Sequence, residues 1–272
     1  MINMRVIGVG GAGKNTIQRM KEDHLVWDEV EYLTIDLDAE SVETRASGAD
    51  ISVVVTGLGG TCSGTLAPEV IRKERQAGSL VITAAYFPFS FEGHKHKNAA
   101  QLALEKIQDL SDAVFLIHND DLFRATGRED GIKKCFARAD VQIVQIMECL
   151  LHVDDSSACK TISPDELLTA LRGQKIFCIA YGVGSLKDAI KDIALKLVCS
   201  RSAADLVAID SAILSIRCGF SADLAEAEGA AAFIKDLLPS DARVLVNITL
   251  DPMDEETEIL GIFCGKEYTH VS

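Results

Sequence analysis

The stretch Gly57-Leu-Gly-Gly-Thr-Cys-Ser-Gly64 directly follows the apolar run Ile51-Ser-Val-Val-Val55, and it decides how the rest of the chain is interpreted. Half of its residues are glycine, and Thr65 adds another hydroxyl before a helical pattern that starts near Glu69. A strand, a loop rich in glycines and hydroxyls, and a helix in this order are typical of a phosphate-binding loop. A plain strand-to-helix turn needs only one or two glycines, so we predict a phosphate-binding loop here.

Composition and charge narrow the class of protein. The 272 residues are 48% hydrophobic and 25% charged, which favours a folded chain of about two domains. A formal net charge of −14 disfavours nucleic acid and anionic lipid surfaces as partners. The eight cysteines are scattered without a C-x-x-C pair, and neither a signal peptide nor an apolar run of about 18 residues is present. We therefore expect a cytoplasmic protein with reduced cysteines and no direct membrane binding.

Apolar runs alternate with helical patterns through the first 120 residues. The predicted strands are Arg5–Val9, Val30–Ile35, Ile51–Val55, Leu80–Ala85 and Ala113–Ile117, with helices starting near Lys14 and Glu69 and after Gly93. This alternation predicts an α/β domain with a parallel, Rossmann-like sheet covered by helices on both faces. Its ligand site is expected at the carboxyl ends of the strands, where the glycine-rich loops fall.

The second half of the chain has a different pattern. Apolar residues recur at helical spacing from Gly131 to Leu151, which predicts one long helix, and the polar segment 152–161 is a candidate linker. Ser163-Pro-Asp-Glu166 has the sequence of a capping box at a helix start. Two further helices and four strands follow, without glycine-rich loops, which predicts a smaller α+β domain.

Two interpretations of the nucleotide are open at the first glycine turn. Gly8-Val-Gly-Gly-Ala-Gly13 is a formal G-x-G-x-x-G, and Asp36 ends the second strand where a ribose-binding acid is expected. Taken alone, these residues predict an NAD-dependent oxidoreductase. A dinucleotide fold, however, has no need for the second glycine loop.

A second group of residues favours guanine. Phe136 and Asp140 lie one turn apart on the same helix face, where a ring stacks on a base and a carboxylate accepts hydrogen bonds from guanine N1 and N2. Asn119 and Arg128 follow the strand that ends at Ile117, from which they could reach phosphate or ribose.

Several motifs together resemble the FtsZ branch of the FtsZ/tubulin superfamily, over nearly the whole chain. They are Val6-Ile-Gly-Val-Gly-Gly-Ala-Gly-Lys-Asn15, Asp36-Leu-Asp-Ala39, Gly57 to Gly64 with Cys62 at a glycine position, Pro88-Phe-Ser-Phe-Glu-Gly93, Asn119-Asp120 and Phe136 to Asp140. The resemblance implies a GTP-binding domain (1–130), a central helix and linker (131–162) and a C-terminal α+β domain (163–272). It also implies head-to-tail assembly, or association with an FtsZ-type partner, and a cofactor that is GTP or GDP; it leaves open whether magnesium is held.

The resemblance also implies the site residues. Around the phosphates it places Gly10, Gly11, Ala12, Gly13, Gly59, Gly60, Thr61, Cys62, Ser63 and Gly64, with Arg128 reaching toward them. Around the guanine it places Asn15, Phe136 and Asp140, and Asp36 and Asn119 complete the expected nucleotide contacts. In the family, acidic residues of the helix after the linker reach the nucleotide of the next subunit and help to activate water.

Two departures bear on activity. Only about ten residues separate Glu40 from Ile51, where the family carries a strand, a loop that touches the γ-phosphate, and a helix. If Asp165 is aligned with the second aspartate of the family's N-x-D-x-x-D pattern, Ile162 and Lys160 replace the other two residues. Asp165 is therefore the candidate catalytic residue, and we expect weak or absent hydrolysis. Asp154, Asp155 and Glu166 could substitute, but a polar linker and a helix N-terminus explain them adequately. A non-hydrolysing scaffold is the alternative.

Overall fold

The structure is a computed structural model of the chain, and it describes residues 2–37, 48–126, 131–151, 158–199, 208–220, 222–251 and 253–266. The chain divides into two compact units, Ile2–Val144 and Gln145–Ser272, with the boundary inside the long helix. The three-part division at 130 and 162 stays a prediction. Among the helices of the described ranges, none is long and apolar enough to cross a membrane.

The first unit contains a sheet of five parallel strands. The strands are β1 Met4–Val9, β2 Val30–Ile35, β3 Ile51–Gly57, β4 Leu80–Phe87 and β5 Ala113–His118, in the order β2-β1-β3-β4-β5. The helices are α1 Gly10–Glu22, α2 Thr61–Gly64, α3 Leu66–Gln76, α4 His94–Leu110, α5 Asn119–Thr126 and α6 Gly131–Leu151, with a 3₁₀ turn at Ser90–Glu92. All strands run the same way, so their carboxyl ends meet at one edge.

Helices cover both faces of this sheet. On one face, apolar residues of α3 and α4 such as Val70 and Leu104 pack with Ile7, Val9 and Val54 in a buried cluster. Because successive side chains of a strand point to opposite faces, the alternate residues of β1 and β3 face α1, which packs on both strands. The predicted parallel α/β architecture is confirmed.

The second unit has a mixed sheet with helices. Its elements are α7 Pro164–Leu171, β6 Gln174–Gly184, α8 Leu186–Cys199, β7 Ile209–Cys218, α9 Leu224–Asp236, β8 Arg243–Leu250 and β9 Thr257–Gly265. The strand order is β6-β9-β7-β8; β9 runs antiparallel to β6 and β7, whereas β7 and β8 are parallel. Apolar residues of α8 and α9 pack against the strands in one buried cluster. The predicted α+β character of this half is confirmed.

The structure differs from the sequence prediction at four helices of the first unit. Residues of the predicted second loop form the short helix α2, and α3 begins at Leu66, before the predicted Glu69. Gly10, Gly11 and Gly13 belong to the first turn of α1, which therefore begins before the predicted Lys14. Helix α5 was not predicted at all, because its eight residues are too few and too polar to show helical periodicity.

The capping box at Ser163 gives a first testable prediction. The Ser163 hydroxyl accepts from the backbone N–H of Glu166 at 3.3 Å and donates to Glu166 Oε2 at 2.7 Å. Replacing Ser163 by alanine is expected to lower the free energy of unfolding by about 1 kcal/mol in urea titrations at pH 7.

The same capping box predicts a pH dependence. The hydroxyl and backbone hydrogen bonds from Ser163 lower the pKa of Glu166 below its ordinary value of 4.5. A depressed carboxyl pKa stabilises the folded state above the unfolded pKa and ceases to do so as the pH falls through the folded one. The difference in free energy of unfolding between the wild type and Ser163→Ala should therefore shrink below about pH 4.5. An unchanged difference at acid pH would contradict this predicted pH dependence.

Candidate functional site

The two glycine loops of the first unit lie against each other. The pairing of Val9 with Thr56 aligns the ends of β1 and β3, so the loops that follow start side by side. A Cβ atom on Gly13 would lie 2.2 Å from the carbonyl oxygen of Val55, and one on Gly57 would lie 2.7 Å from the Cβ of Ala12. Packing between the loops therefore requires glycine at these two positions.

Other glycines of the same loops face open space. Added Cβ atoms on Gly11, Gly60 and Gly64 would meet no protein atom within 4 Å, and none of the three has a positive φ. Neither packing nor backbone conformation requires glycine there. A ligand that lies directly on the backbone does require it, because any side chain would hold the ligand away from the N–H groups.

The hydroxyl groups of the second loop shape the loop itself. Ser63 is buried, and its hydroxyl donates to the carbonyl of Gly60 at 2.8 Å. The hydroxyl of Thr65 donates to the carbonyl of Thr61 at 2.9 Å, whereas Thr61 is exposed. Thr61 and Thr65 are both exposed, whereas the hydroxyls of Ser63 and Thr65 are bonded within the loop.

Asp36 reaches the same loops from the end of β2. Its Oδ1 accepts from the backbone N–H of Leu37 at 2.8 Å and from the thiol of Cys62 at 3.5 Å. Partial burial, and then the hydrogen bond to Asp36 and its negative charge, raise the pKa of Cys62. A Cβ atom on Gly10 would lie 2.8 Å from that of Cys62. Three strand ends therefore meet here, and Cys62 remains a protonated thiol at neutral pH.

Asp140 is buried and bound by two side chains from other elements. It is 1% exposed, and it accepts from Arg19 through Nε at 2.6 Å and Nη2 at 3.0 Å. The Tyr86 hydroxyl donates to Asp140 Oδ1 at 3.1 Å. An arginine that binds a carboxylate with two parallel hydrogen bonds fixes both groups in orientation.

Thr16 closes this arrangement into a ring of hydrogen bonds. Burial, and then the negative charge of Asp140, raise the pKa of Tyr86 well above its ordinary value, so its single proton stays in place and is donated to Asp140. The Thr16 hydroxyl, 3.0 Å from that of Tyr86, must then be the donor in that pair. Thr16 in turn accepts from Arg19 Nη2 at 3.1 Å. Every proton in the ring thus has a defined place.

Phe136 belongs to an aromatic cluster next to these hydrogen-bonded side chains. Its ring meets those of Tyr86 and Phe89 edge-on, with centroids 5.8 and 6.3 Å apart, and the guanidinium of Arg19 lies 5.2 Å from its centroid. Phe89 stacks on the exposed Phe91 at 4.8 Å. The predicted pair Phe136 and Asp140 is brought together with Arg19 between them.

The remaining predicted residues have separate positions. Asn15 is exposed on α1, and Asn119 starts α5, where its Oδ1 is buried without a hydrogen-bond partner among the described residues. Arg128 lies outside the described residues. Asp165 belongs to the second unit and is exposed in the first turn of α7.

Arg19, Thr16 and Tyr86 were not predicted from the sequence. Thr16 and Arg19 lie three residues apart, so they share a helix face just after the first glycine loop. That spacing was a usable signal. Nothing in the local sequence of Tyr86 indicates that its hydroxyl reaches a carboxylate 54 residues away.

Comparisons with known proteins agree with the fold. The profile described as "Tubulin/FtsZ family, GTPase domain" matches residues 27–127. The cell division protein FtsZ of Haloferax mediterranei is 23% identical over 92% of this chain and 76% of its own. Among solved structures, an FtsZ dimer from M. jannaschii has a TM-score of 0.74 at 19% identity, covering 97% of this chain and 88% of the other. CetZ2 from Haloferax volcanii, a GTPγS-bound protofilament, has a TM-score of 0.67 at 17% identity, covering 99% and 95%.

The matched profile runs from just before β2 to the end of α5 and so includes the second glycine loop. The solved structures share the architecture of both units. Residues 27–127 thus match the Tubulin/FtsZ GTPase domain, and over nearly its whole length the chain is similar to FtsZ of Haloferax mediterranei and shares the fold of the solved FtsZ and CetZ structures.

Proposed function

We propose that this protein binds a guanine nucleotide, with its phosphates on the two adjoining glycine loops of the first unit. The observation that carries the proposal is the set of glycines Gly11, Gly60 and Gly64, whose missing side chains face open space at the carboxyl ends of β1 and β3. The N-terminus of α1 also lies at this edge, where unpaired N–H groups and the helix dipole favour an anion.

The base end of the proposed site is the aromatic and charged cluster on α1 and α6. Phe136 offers a ring for stacking, and Asn15 offers an exposed amide on α1. Asp36 would contact the ribose, and its hydrogen bond with Cys62 of the second loop supports this role. CetZ2, a relative of the same fold, is a protofilament with bound GTPγS, which supports guanine nucleotide as the ligand.

Magnesium would be held mainly by the nucleotide. Within the described ranges, no group of three His, Cys, Asp or Glu side chains is placed to hold a metal ion. Magnesium in nucleotide sites is commonly bound by one or two carboxylates together with phosphate oxygens. Asp36 is a carboxylate that contacts the second glycine loop, through the thiol of Cys62.

We also propose that hydrolysis is weak or absent in the isolated chain. Lys160 exchanges backbone hydrogen bonds with Ile248 of β8, and Ile162 is 2% exposed, so this segment serves the packing of the second unit. Glu166 is engaged in the capping box with Ser163. Asp165, exposed in the first turn of α7, is the candidate acid for a catalytic role on assembly.

Self-association is part of the proposal, because the similar structures include an FtsZ dimer and a CetZ2 protofilament. Sedimentation with GTP, with GDP and without nucleotide tests it, and phosphate release is measured on the same samples. Pelleting with little phosphate release is expected. Rapid phosphate release by the protein alone would contradict the proposed weak hydrolysis.

The binding proposal is tested by isothermal titration of nucleotide-free protein with GTP, GDP, ATP and NAD. The expected result is binding of GTP and GDP at least about tenfold tighter than binding of ATP, a difference of about 1.4 kcal/mol. Failure of both guanine nucleotides to bind would refute the proposed function. Preferred binding of NAD would support the oxidoreductase interpretation.

A further inference from the structure

Arg19 meets Asp140 with two parallel hydrogen-bond donors. Its Nε donates to Oδ2 at 2.6 Å and its Nη2 donates to Oδ1 at 3.0 Å, so each carboxylate oxygen accepts one arm of the guanidinium. The N1–H and the 2-amino group of guanine form the same pattern, two neighbouring donors in one plane that match the two oxygens of a carboxylate. Arg19 therefore gives Asp140 the hydrogen bonds that the predicted contact with guanine would give it.

Arg19 and guanine cannot both make these bonds to Asp140. Each carboxylate oxygen has about two acceptor positions, and Oδ1 already accepts from Arg19 and, at 3.1 Å, from the Tyr86 hydroxyl. A base that takes one position on each oxygen needs the position on Oδ1 that Arg19 holds. Guanine binds at Asp140 only if Arg19 leaves.

The exchange of Arg19 for guanine does not leave the buried carboxylate without donors. Asp140 is 1% exposed, and a charge at this depth is strongly unfavourable when it has no partner. Guanine brings two donors as Arg19 withdraws, and the Tyr86 hydroxyl keeps its bond to Oδ1, so Asp140 has three hydrogen bonds before and after the exchange. Adenine carries an acceptor at N1 beside its 6-amino donor, so it cannot replace both donors of Arg19.

Arg19 can withdraw toward the surface. Its side chain is 17% exposed, and the exposed carboxylate of Glu22 lies three residues further along the same helix. Its guanidinium lies 5.2 Å from the ring centroid of Phe136, the ring on which the base is proposed to stack. Arg19 thus contacts both Phe136 and Asp140, which are the two residues predicted to hold the guanine.

We propose that Arg19 is an internal competitor of the base, which bonds to Asp140 when no base is present and is displaced when guanine binds. This inference rests on the proposed nucleotide function and deepens it, because it names a side chain that regulates the affinity of that site. Separating Arg19 from Asp140 costs free energy, so the measured affinity for guanine is lower than the site without Arg19 would give. The return of Arg19 to Asp140 favours release of the nucleotide.

The test is Arg19→Met, which keeps a long side chain and removes its donors. Isothermal titration of nucleotide-free protein measures the dissociation constants of GDP and ADP. The variant is expected to bind GDP about tenfold more tightly than the wild type, and to bind ADP no more tightly, because ADP does not displace Arg19. An unchanged or lower affinity for GDP would overturn the inference, as would an equal gain for ADP.

Lys21→Met is the matched control, because it removes the same charge from an exposed position of the same helix. It should leave the affinity for GDP within about twofold of the wild type. A gain in this control as large as that of Arg19→Met would show that the loss of a positive charge, rather than the release of Asp140, causes the effect, and would overturn the inference.

Thermal melting of the same proteins gives a second measurement. In Arg19→Met the Tyr86 hydroxyl is the remaining donor to Asp140 among the described residues, so the variant without nucleotide should melt below the wild type. Saturating GDP supplies two donors to Asp140 and should raise the melting temperature of the variant more than that of the wild type. An equal or smaller rise would contradict the inference.

Arg19→Lys carries the test if Arg19→Met does not fold. Lysine keeps the charge but cannot place two parallel donors on the two oxygens of a carboxylate, so a smaller gain in GDP affinity, about threefold, is expected. Wild-type protein that binds GDP, together with variants that bind it no more tightly, refutes this inference alone. Wild-type protein that binds no guanine nucleotide refutes the proposed function as well.

Discussion

Replacing Gly60 by valine is expected to abolish nucleotide binding, with at least about a hundredfold loss of affinity for GDP, while the protein stays folded. A Cβ atom at this position would meet no protein atom within 4 Å, and the φ of −88° is accessible to valine. The added methyl groups would occupy the space next to the loop backbone, where the phosphates are proposed to lie. Isothermal titration with GDP measures the affinity.

The fold should tolerate this change. Gly60 is the residue before the short helix α2, where valine is less favourable than glycine by up to about 1 kcal/mol. The melting temperature should therefore fall by no more than about 4 °C. Gly229→Ala on α9 is the matched control, because this glycine also faces open space but lies in the second unit. It should leave GDP binding unchanged. If Gly60→Val binds GDP as the wild type does, the phosphates do not lie on this loop.

Replacing Glu74 by alanine is expected to destabilise the first unit by about 3–5 kcal/mol. Glu74 is 1% exposed and accepts two hydrogen bonds from Nη1 of Arg5, at 3.1 and 3.2 Å, and one from Ser52 at 2.6 Å. Arg5 is itself 3% exposed, so the truncation takes a carboxylate partner away from a buried guanidinium, which keeps its ion pair with Glu31. Urea denaturation measures the free energy of unfolding.

Glu69→Ala is the control for this prediction, since it lies on the same helix. Glu69 pairs with Lys73 at 3.2 Å, and both side chains are at least 40% exposed, so its loss should cost less than about 1 kcal/mol. Equal destabilisation by the two variants would show that the buried pair contributes no more than an exposed one.

The helices and strands were predictable wherever the periodicity of apolar residues and the residues that mark element ends indicate the same limits. The predicted limits of β2 and α6 coincide with those in the structure, because strongly periodic apolar patterns end at clear boundaries there. The start of α7 follows from the capping box at Ser163. Helix α5 was missed because Asn119-Asp-Asp121 has the composition of a loop.

The two glycine loops were predictable from the sequence, and the surroundings of Asp140 only in part. Glycine occurs where the local backbone conformation or a close approach disfavours a side chain, so the loops could be recognised from short stretches of sequence. The partner of Asp140 could not be recognised in this way, because Arg19 lies 121 residues earlier in the chain and only the packing of α1 beside α6 joins them. Charge and spacing suggested a free carboxylate for guanine, whereas the folded chain binds that carboxylate with Arg19 and Tyr86.

The most direct measurement of the central claim is the identity of the nucleotide held by the purified protein. Protein freed of loosely bound nucleotide by gel filtration is denatured with acid, and the released small molecules are separated by anion-exchange chromatography. We expect GDP or GTP in the extract and, after stripping, uptake of added GDP. An extract that contains NAD or adenine nucleotide, or an empty extract together with no uptake of GDP, would contradict it.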